Sequence, residues 1–250
     1  MNLCPTLRCC TFTVFIIFVD IIMFGISLLL YRIVNTEFLA PNPRALDTLG
    51  WKDARKIKKR GQVWRFITPV FLHASFVHLS LNLLSTIVIG TGLENGLGSW
   101  KLAILYFISS FGGILFSCVF NPLAYSVGAS TAIFGLIGYY IAYLCIEWGR
   151  LGDSNPMQRF TLIIFILIIL LFNIQIGVTE ANVDNLGHLG GLIVGIIMGF
   201  AISENDERRD RSQSFVDFLR RSNYKNKCGI IFLFSYILVF LLIFYLLVEV

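Results

Sequence analysis

About seven apolar runs, several near the ~20 residues that take a helix across a bilayer, occupy almost the whole of this sequence. Hydrocarbon offers backbone N–H and C=O groups no water, so each run must satisfy its own polar atoms by coiling into a helix. Hydrophobic residues make up 56% of the 250, against the roughly 45–50% of soluble domains. No stretch remains for a separate soluble domain of useful size. The chain reads as one all-α polytopic membrane domain.

The first run, residues 11–31, follows a tail of residues 1–10 that lacks the basic region and cleavage site of a removable signal, so it reads as a retained signal-anchor helix. Asp20 interrupts it and is read as a protonated or inward-facing structural residue, because an ionised carboxylate in lipid is costly. The six cysteines, Cys4, Cys9, Cys10, Cys118, Cys145 and Cys228, have neither metal-site nor CxxC spacing, which leaves packing or lipidation as their use. A formal charge of +5 is spread over loops without aromatic interleaving, which argues for lipid headgroups and against nucleic acid.

The long loop over 32–69 carries Pro41, Pro43 and Gly50, then a basic stretch over 52–60 ahead of Trp64 and Arg65. That pair suits the bilayer boundary, with the indole at the interface and the guanidinium reaching phosphate. A second helix is expected over 67–92, carrying His73, His78 and Asn82. The last two are four apart and share a face, so they need a partner or a water-filled cavity; bonds between helices are the bland alternative. A loop with Glu94 and Gly98 leads to a third helix over 100–120, and a fourth is expected from Ser130 to Glu147. A polar link with Asp153 and Pro156 precedes a fifth helix over 160–177, read as lipid-facing wall. A polar loop over 178–185 opens the helix of His188. A charged aqueous linker over 203–227 then precedes a seventh helix in 228–250, its apolar run spanning 229–247.

The segment Gly128-Ala-Ser-Thr131 opens directly into the fourth apolar run, so Ser130 stands where a helix presents unpaired N–H groups and its positive dipole end. An oxyanion would be welcome there. His188 lies on the glycine-stepped sixth run, and a serine hydroxyl becomes reactive when an imidazole, with a reference pKa of roughly 6.5, accepts its proton. A seven-span receptor or transporter would leave these pairings as coincidence.

From Trp64 onward the chain resembles the rhomboid intramembrane serine proteases, especially the eukaryotic secretory-pathway form with six core helices and one added C-terminal helix. Trp64-Arg65 resembles the first-loop motif; His73, His78 and Asn82 the second-helix motif; Gly128-x-Ser130 the nucleophile motif; and His188-x-x-Gly191-x-x-x-Gly195 the sixth-helix motif. Each is short, and their order along the chain is what makes the resemblance specific. The resemblance implies a six-helix core over 11–202, with Ser130 as nucleophile and His188 as general base in a dyad without a carboxylate. It implies an oxyanion held by His78, Asn82 and the Ser130 N–H, and a structural role for Gly128. Trp64, Arg65, His73, Phe134, Gly191 and Gly195 would be structural or gating residues, the two glycines allowing close helix approach.

Asn182, Asp184 and Asn185 would belong to a mobile cap over a water-accessible cavity. Implied partners are single-span transmembrane substrates and membrane lipid, with no cofactor and no metal, in the secretory pathway or plasma membrane. A catalytically inactive relative that binds client helices is the other reading. Thr131 stands where glycine is common and is expected to narrow the cavity. Phe134 replaces a common tyrosine, which keeps ring packing on His188 and removes a phenol hydrogen bond.

Overall fold

The computed structural model describes residues 11–31, 33–34, 38–179, 184–203 and 223–250, without the side chains of 172–179. Cys4, Cys9, Cys10, Asn182 and most of the 203–227 linker lie outside the described residues. Helices α1 (Phe12–Leu30), α2 (Pro43–Leu49), α3 (Ala54–Arg60), α4 (Phe76–Ser85), α5 (Thr91–Leu97), α6 (Ser99–Phe120), α7 (Ser130–Ile146), α8 (Trp148–Ser154), α9 (Pro156–Thr179), α10 (Asn185–Ile202) and α11 (Tyr224–Leu246) follow in order. A π-turn, Thr86–Gly90, joins α4 to α5. Five helical stretches are long and apolar enough to cross a membrane, and α7 with α8, bent by 69°, makes a sixth. The molecule is an integral, multi-pass, all-α membrane protein.

Several expected boundaries move, each for a local reason. The second span begins at Phe76, not at residue 67: Val63–Phe66 and Thr68–Phe71 form 3₁₀ turns, with Pro69 in a first turn where its missing N–H costs nothing, and the backbone is then extended at Leu72 (ψ 145°) and Ser75 (ψ 167°). Ser75 then caps α4, its hydroxyl accepting the His78 N–H at 3.2 Å. His73 therefore precedes the helix. The loop over 32–69 holds α2 and α3, which end at Gly50 (φ 104°) and Gly61 (φ 64°). The polar link before α9 is itself helical as α8, and α9 starts at Pro156, where a missing N–H costs nothing. The last helix starts at Tyr224, not Gly229, because Asn223 and Asn226 form a reciprocal cap.

Glu94 lies within α5, not in a loop. Its carboxylate accepts the N–H groups of Phe12 (2.6 Å) and Thr13 (3.1 Å) and the Ser99 hydroxyl. The first turn of α1 thus receives a negative charge from a distant helix, where dipole and unpaired donors both favour it. Asp20 is wholly buried, and its carboxyl has no hydrogen-bond partner among the described residues.

Helices α6, α7 and α10 form the centre, and glycines set their spacing. A Cβ on Gly195 would strike the Gly135 carbonyl, one on Gly191 the Thr131 carbonyl, and one on Gly138 the Leu192 carbonyl. Only bare backbone fits where α7 and α10 cross. Helix α11 packs outside them: Asn226 Nδ2 donates to the carbonyls of Ala201 (3.0 Å) and Ser203 (2.7 Å) at one end. At the other, Lys58 of α3 donates to the Val248 carbonyl at 2.5 Å.

Candidate active site

The backbone ahead of α7 turns at Gly128, whose φ of 124° falls where glycine is favoured. The Gly128 N–H donates to the Pro69 carbonyl at 2.9 Å, and Lys52 and Ser126 pair as an isolated antiparallel bridge, the Lys52 N–H donating to the Ser126 carbonyl at 3.0 Å. The loop ahead of α4 thereby fixes the entry to α7. Ser130 is the first helical residue, so the first N–H groups of this turn have no intrahelical acceptor.

Helix α10 starts at a second cap. Asp184 accepts the Gly187 N–H through Oδ1 at 2.9 Å, and its own carbonyl accepts the His188 N–H at 3.0 Å. One turn in, His188 is buried, with Nε2 2.6 Å from Ser130 Oγ. The imidazole lies on the Phe134 ring, centroids 4.4 Å apart and planes 10° from parallel. Close crossing of α7 and α10 at Gly191 and Gly195 brings these side chains together across 58 residues of sequence.

His78 approaches from α4. A Cβ on Gly128 would come within 2.8 Å of the His78 Cε1 and Nε2 atoms and 3.6 Å of Ser130 Oγ, so ring and hydroxyl flank the same glycine. His78 Nδ1 accepts the Ala74 N–H at 3.4 Å, which leaves the proton on Nε2, the atom facing Gly128. Asn82 is buried and turned back on its own helix, Nδ2 donating to the His78 carbonyl at 2.8 Å, with its second amide hydrogen unused among the described residues. His73 is fully buried edge-on to His78, ring centroids 5.4 Å apart, and neither of its nitrogens has a hydrogen-bond partner among the described residues.

Three expectations are corrected. Arg65 does not reach outward to phosphate: it is 4% exposed, and its guanidinium donates to Gln62 Oε1 (2.7 Å) and to the carbonyls of Trp51 (2.9 Å) and Asp47 (2.8 Å). A planar fork with several donors finds more acceptors inside the loop than at its surface. Trp64 remains half exposed. Thr131 does not narrow a cavity mouth. It is 7% exposed and fills the junction of α6 and α10, where a Cβ on Gly113 would strike its methyl and one on Gly187 would come within 3.3 Å of its hydroxyl. Asp184 is anchored rather than part of a mobile cap; its side chain is 6% exposed and pairs with Lys52 at 3.4 Å.

That pair escaped the reading of the sequence. Lys52 is fully buried and donates to Ser117 Oγ (2.5 Å), the Asn121 carbonyl (3.1 Å) and Asp184 Oδ2 (3.4 Å), while Ser117 donates to Asp184 Oδ1 at 2.6 Å. Burial pushes the Asp184 carboxyl up, but the Lys52 ammonium, the Ser117 hydroxyl and the Gly187 N–H together hold it below the usual carboxylate range. The pattern Asp184-x-x-Gly187 before an apolar run signals a helix cap, and that signal was available. The lysine partner was not.

A family model described as the Rhomboid domain matches residues 60–205. The chain is 39% identical to Rhomboid-like protease 3 of Toxoplasma gondii, over 74% of this chain and 66% of that one. It is 32% identical to Rhomboid-like protease 2 of the same organism, over 82% and 70%. It is also 36% identical to RHOMBOID-like protein 1 of Arabidopsis thaliana, over 66% of this chain. The chain spans 41% of that plant protein and 64% of RHOMBOID-like protein 6, mitochondrial, of the same plant.

Proposed function

Because the chain belongs to the rhomboid family, a family of intramembrane proteases, we propose that it is a serine endopeptidase that cuts single-span membrane proteins with a Ser130–His188 dyad. The observation that carries this reading is the 2.6 Å approach of His188 Nε2 to Ser130 Oγ at the start of a helix. As Ser130 attacks a peptide carbonyl, His188 takes the hydroxyl proton and later delivers it to the leaving amine. The oxyanion then sits against the unpaired N–H groups of the first α7 turn, with His78 Nε2–H beside it and the spare Asn82 amide hydrogen behind. Gly128 supports the role by giving up the space that His78 needs, and Phe134 by flooring the imidazole.

A transmembrane helix hides its carbonyls in internal hydrogen bonds, so the expected substrate carries small or helix-breaking residues near the cut. The working unit is residues 11–202, with 203–227 as an aqueous linker to the helix of 228–250, in the secretory pathway or plasma membrane. Both Toxoplasma gondii relatives described above carry the word protease in their names, which favours catalysis over client binding alone. A fluorophosphonate probe tests the reading, since only an activated serine reacts. Labelling that disappears in folded Ser130→Ala and His188→Ala, together with cleavage of a panel of single-span substrates, is the expected result. A folded Ser130→Ala protein that still cleaves would sink it, and an unlabelled protein that captures helices would be a binding relative.

A further inference from the structure

Ser126 and Asp184 each stand four residues ahead of a proposed dyad member, Ser130 and His188, and one buried lysine holds both. Lys52 pairs with Ser126 through its backbone N–H (3.0 Å) and with Asp184 through its ammonium (3.4 Å). Ser117 of α6 completes the unit, accepting from Lys52 at 2.5 Å and donating to both Asp184 oxygens at 2.6 and 2.7 Å. Besides the Ser130–His188 contact and the Phe134–His188 stack, the dyad helices meet through glycine contacts, which limit how close they come more than how far one slides along the other. Directional, charge-assisted bonds do fix it.

We propose that Lys52, Ser117 and Asp184 form a positioning unit that sets the axial register of the His188 helix against the Ser130 helix. This rests on the Ser130–His188 reading. None of the three touches the dyad side chains in the contacts described, so they are positioning residues rather than catalytic ones. A buried ion pair is a poor source of net stability, since neutral side chains of similar volume often do as well, whereas losing one partner strands a buried charge. The unit's value lies in geometry. A displacement of the reacting groups by about 1 Å is worth up to 10²-fold in rate.

The test separates stability from register in the 250-residue chain in detergent, using fluorophosphonate labelling rate per folded molecule, thermal stability and the kcat and KM of a cleaved membrane substrate. Lys52→Met and Asp184→Asn each strand a charge and lower stability. The double variant removes both charges, keeps an asparagine cap at position 184 and nearly restores stability. The expected result is that it nevertheless labels roughly tenfold more slowly than the parent, with kcat reduced and KM within about twofold. Ser117→Ala, which leaves both charges in place, is expected to slow labelling about threefold and covers the case of a double variant that does not fold. Labelling at the parent rate in the double variant, or in Ser117→Ala, overturns the proposal while leaving the dyad standing. A parent that does not label, or labelling that survives Ser130→Ala, overturns the dyad reading and the positioning unit with it.

Discussion

The imidazole of His188 rests face to face on the ring of Phe134, centroids 4.4 Å apart and planes 10° from parallel, while its Nε2 meets Ser130 Oγ at the ring edge. An aromatic floor of this kind restricts ring tilt without competing for either nitrogen. Phe134→Ala is therefore expected to lower kcat roughly three- to tenfold, in line with the ~0.5–1.5 kcal/mol of an aromatic pair, and Phe134→Tyr to stay within a few-fold of the parent. Single-turnover labelling at matched folded fraction checks it. An unchanged rate in Phe134→Ala would mean that the imidazole is held without the aromatic floor.

Asn82 anchors one amide hydrogen on the His78 carbonyl, and in the proposed mechanism the other is offered to the oxyanion. Asn82→Ala is expected to cost roughly 10²-fold in turnover, at the low end of single-donor deletions, with helical content intact. Turnover equal to the parent would assign the side chain to packing within α4.

Thr131 packs against Gly113, Gly187 and Gly191 rather than facing an incoming peptide. Thr131→Gly is therefore expected to cost about 1–2 kcal/mol of stability, from lost burial and a glycine in the first turn. A cleavage profile over substrates graded in side-chain size should coincide with that of the parent. Broader acceptance of bulky residues would restore the view that this side chain guards the cavity.

Gly195→Ala places a methyl group against the Gly135 carbonyl, where neither backbone has room to retreat. An overpacking cost of about 1–3 kcal/mol is expected, with slower labelling because α10 is pushed off α7. Thermal melting and labelling on the same preparation measure both.

Asp184 has a folded-state pKa below its unfolded value of roughly 3.9, so its contribution is fully present above that value and is lost as pH falls through the folded pKa. The difference in melting temperature between the parent and Asp184→Asn should be constant from pH 7 to about pH 5 and shrink below about pH 4. A gap that persists at the lowest pH would show that the pairing with Lys52 contributes nothing.

Local signals were legible in the sequence: apolar runs of bilayer length, the turn glycine before Ser130, and glycines spaced four apart after His188. These are properties of neighbouring residues, and helices α1, α6, α7 and α10 follow from them. The irregular stretch over 63–75 was half legible, since Pro69 stood in plain sight inside an apolar run that argued for helix. Arg65 was misjudged because a basic residue beside tryptophan has the same local pattern whether it reaches lipid or a carbonyl cluster. Lys52 and Asp184 lie 132 residues apart, and nothing periodic in one announces the other. Long-range partner choice among polar groups is decided by the assembled bundle.

The carboxylate of Glu94 reaches the first N–H groups of α1 from 82 residues further along the chain. At synthesis rates of about 5–20 residues per second, α1 leaves the ribosome roughly 4–16 s before its cap exists. During that interval its leading amides must be served by water or headgroups at the bilayer surface. The N-terminal turn of α1 is thus completed by a residue made later in the chain, and the pairing of α1 with α5 has to wait for it.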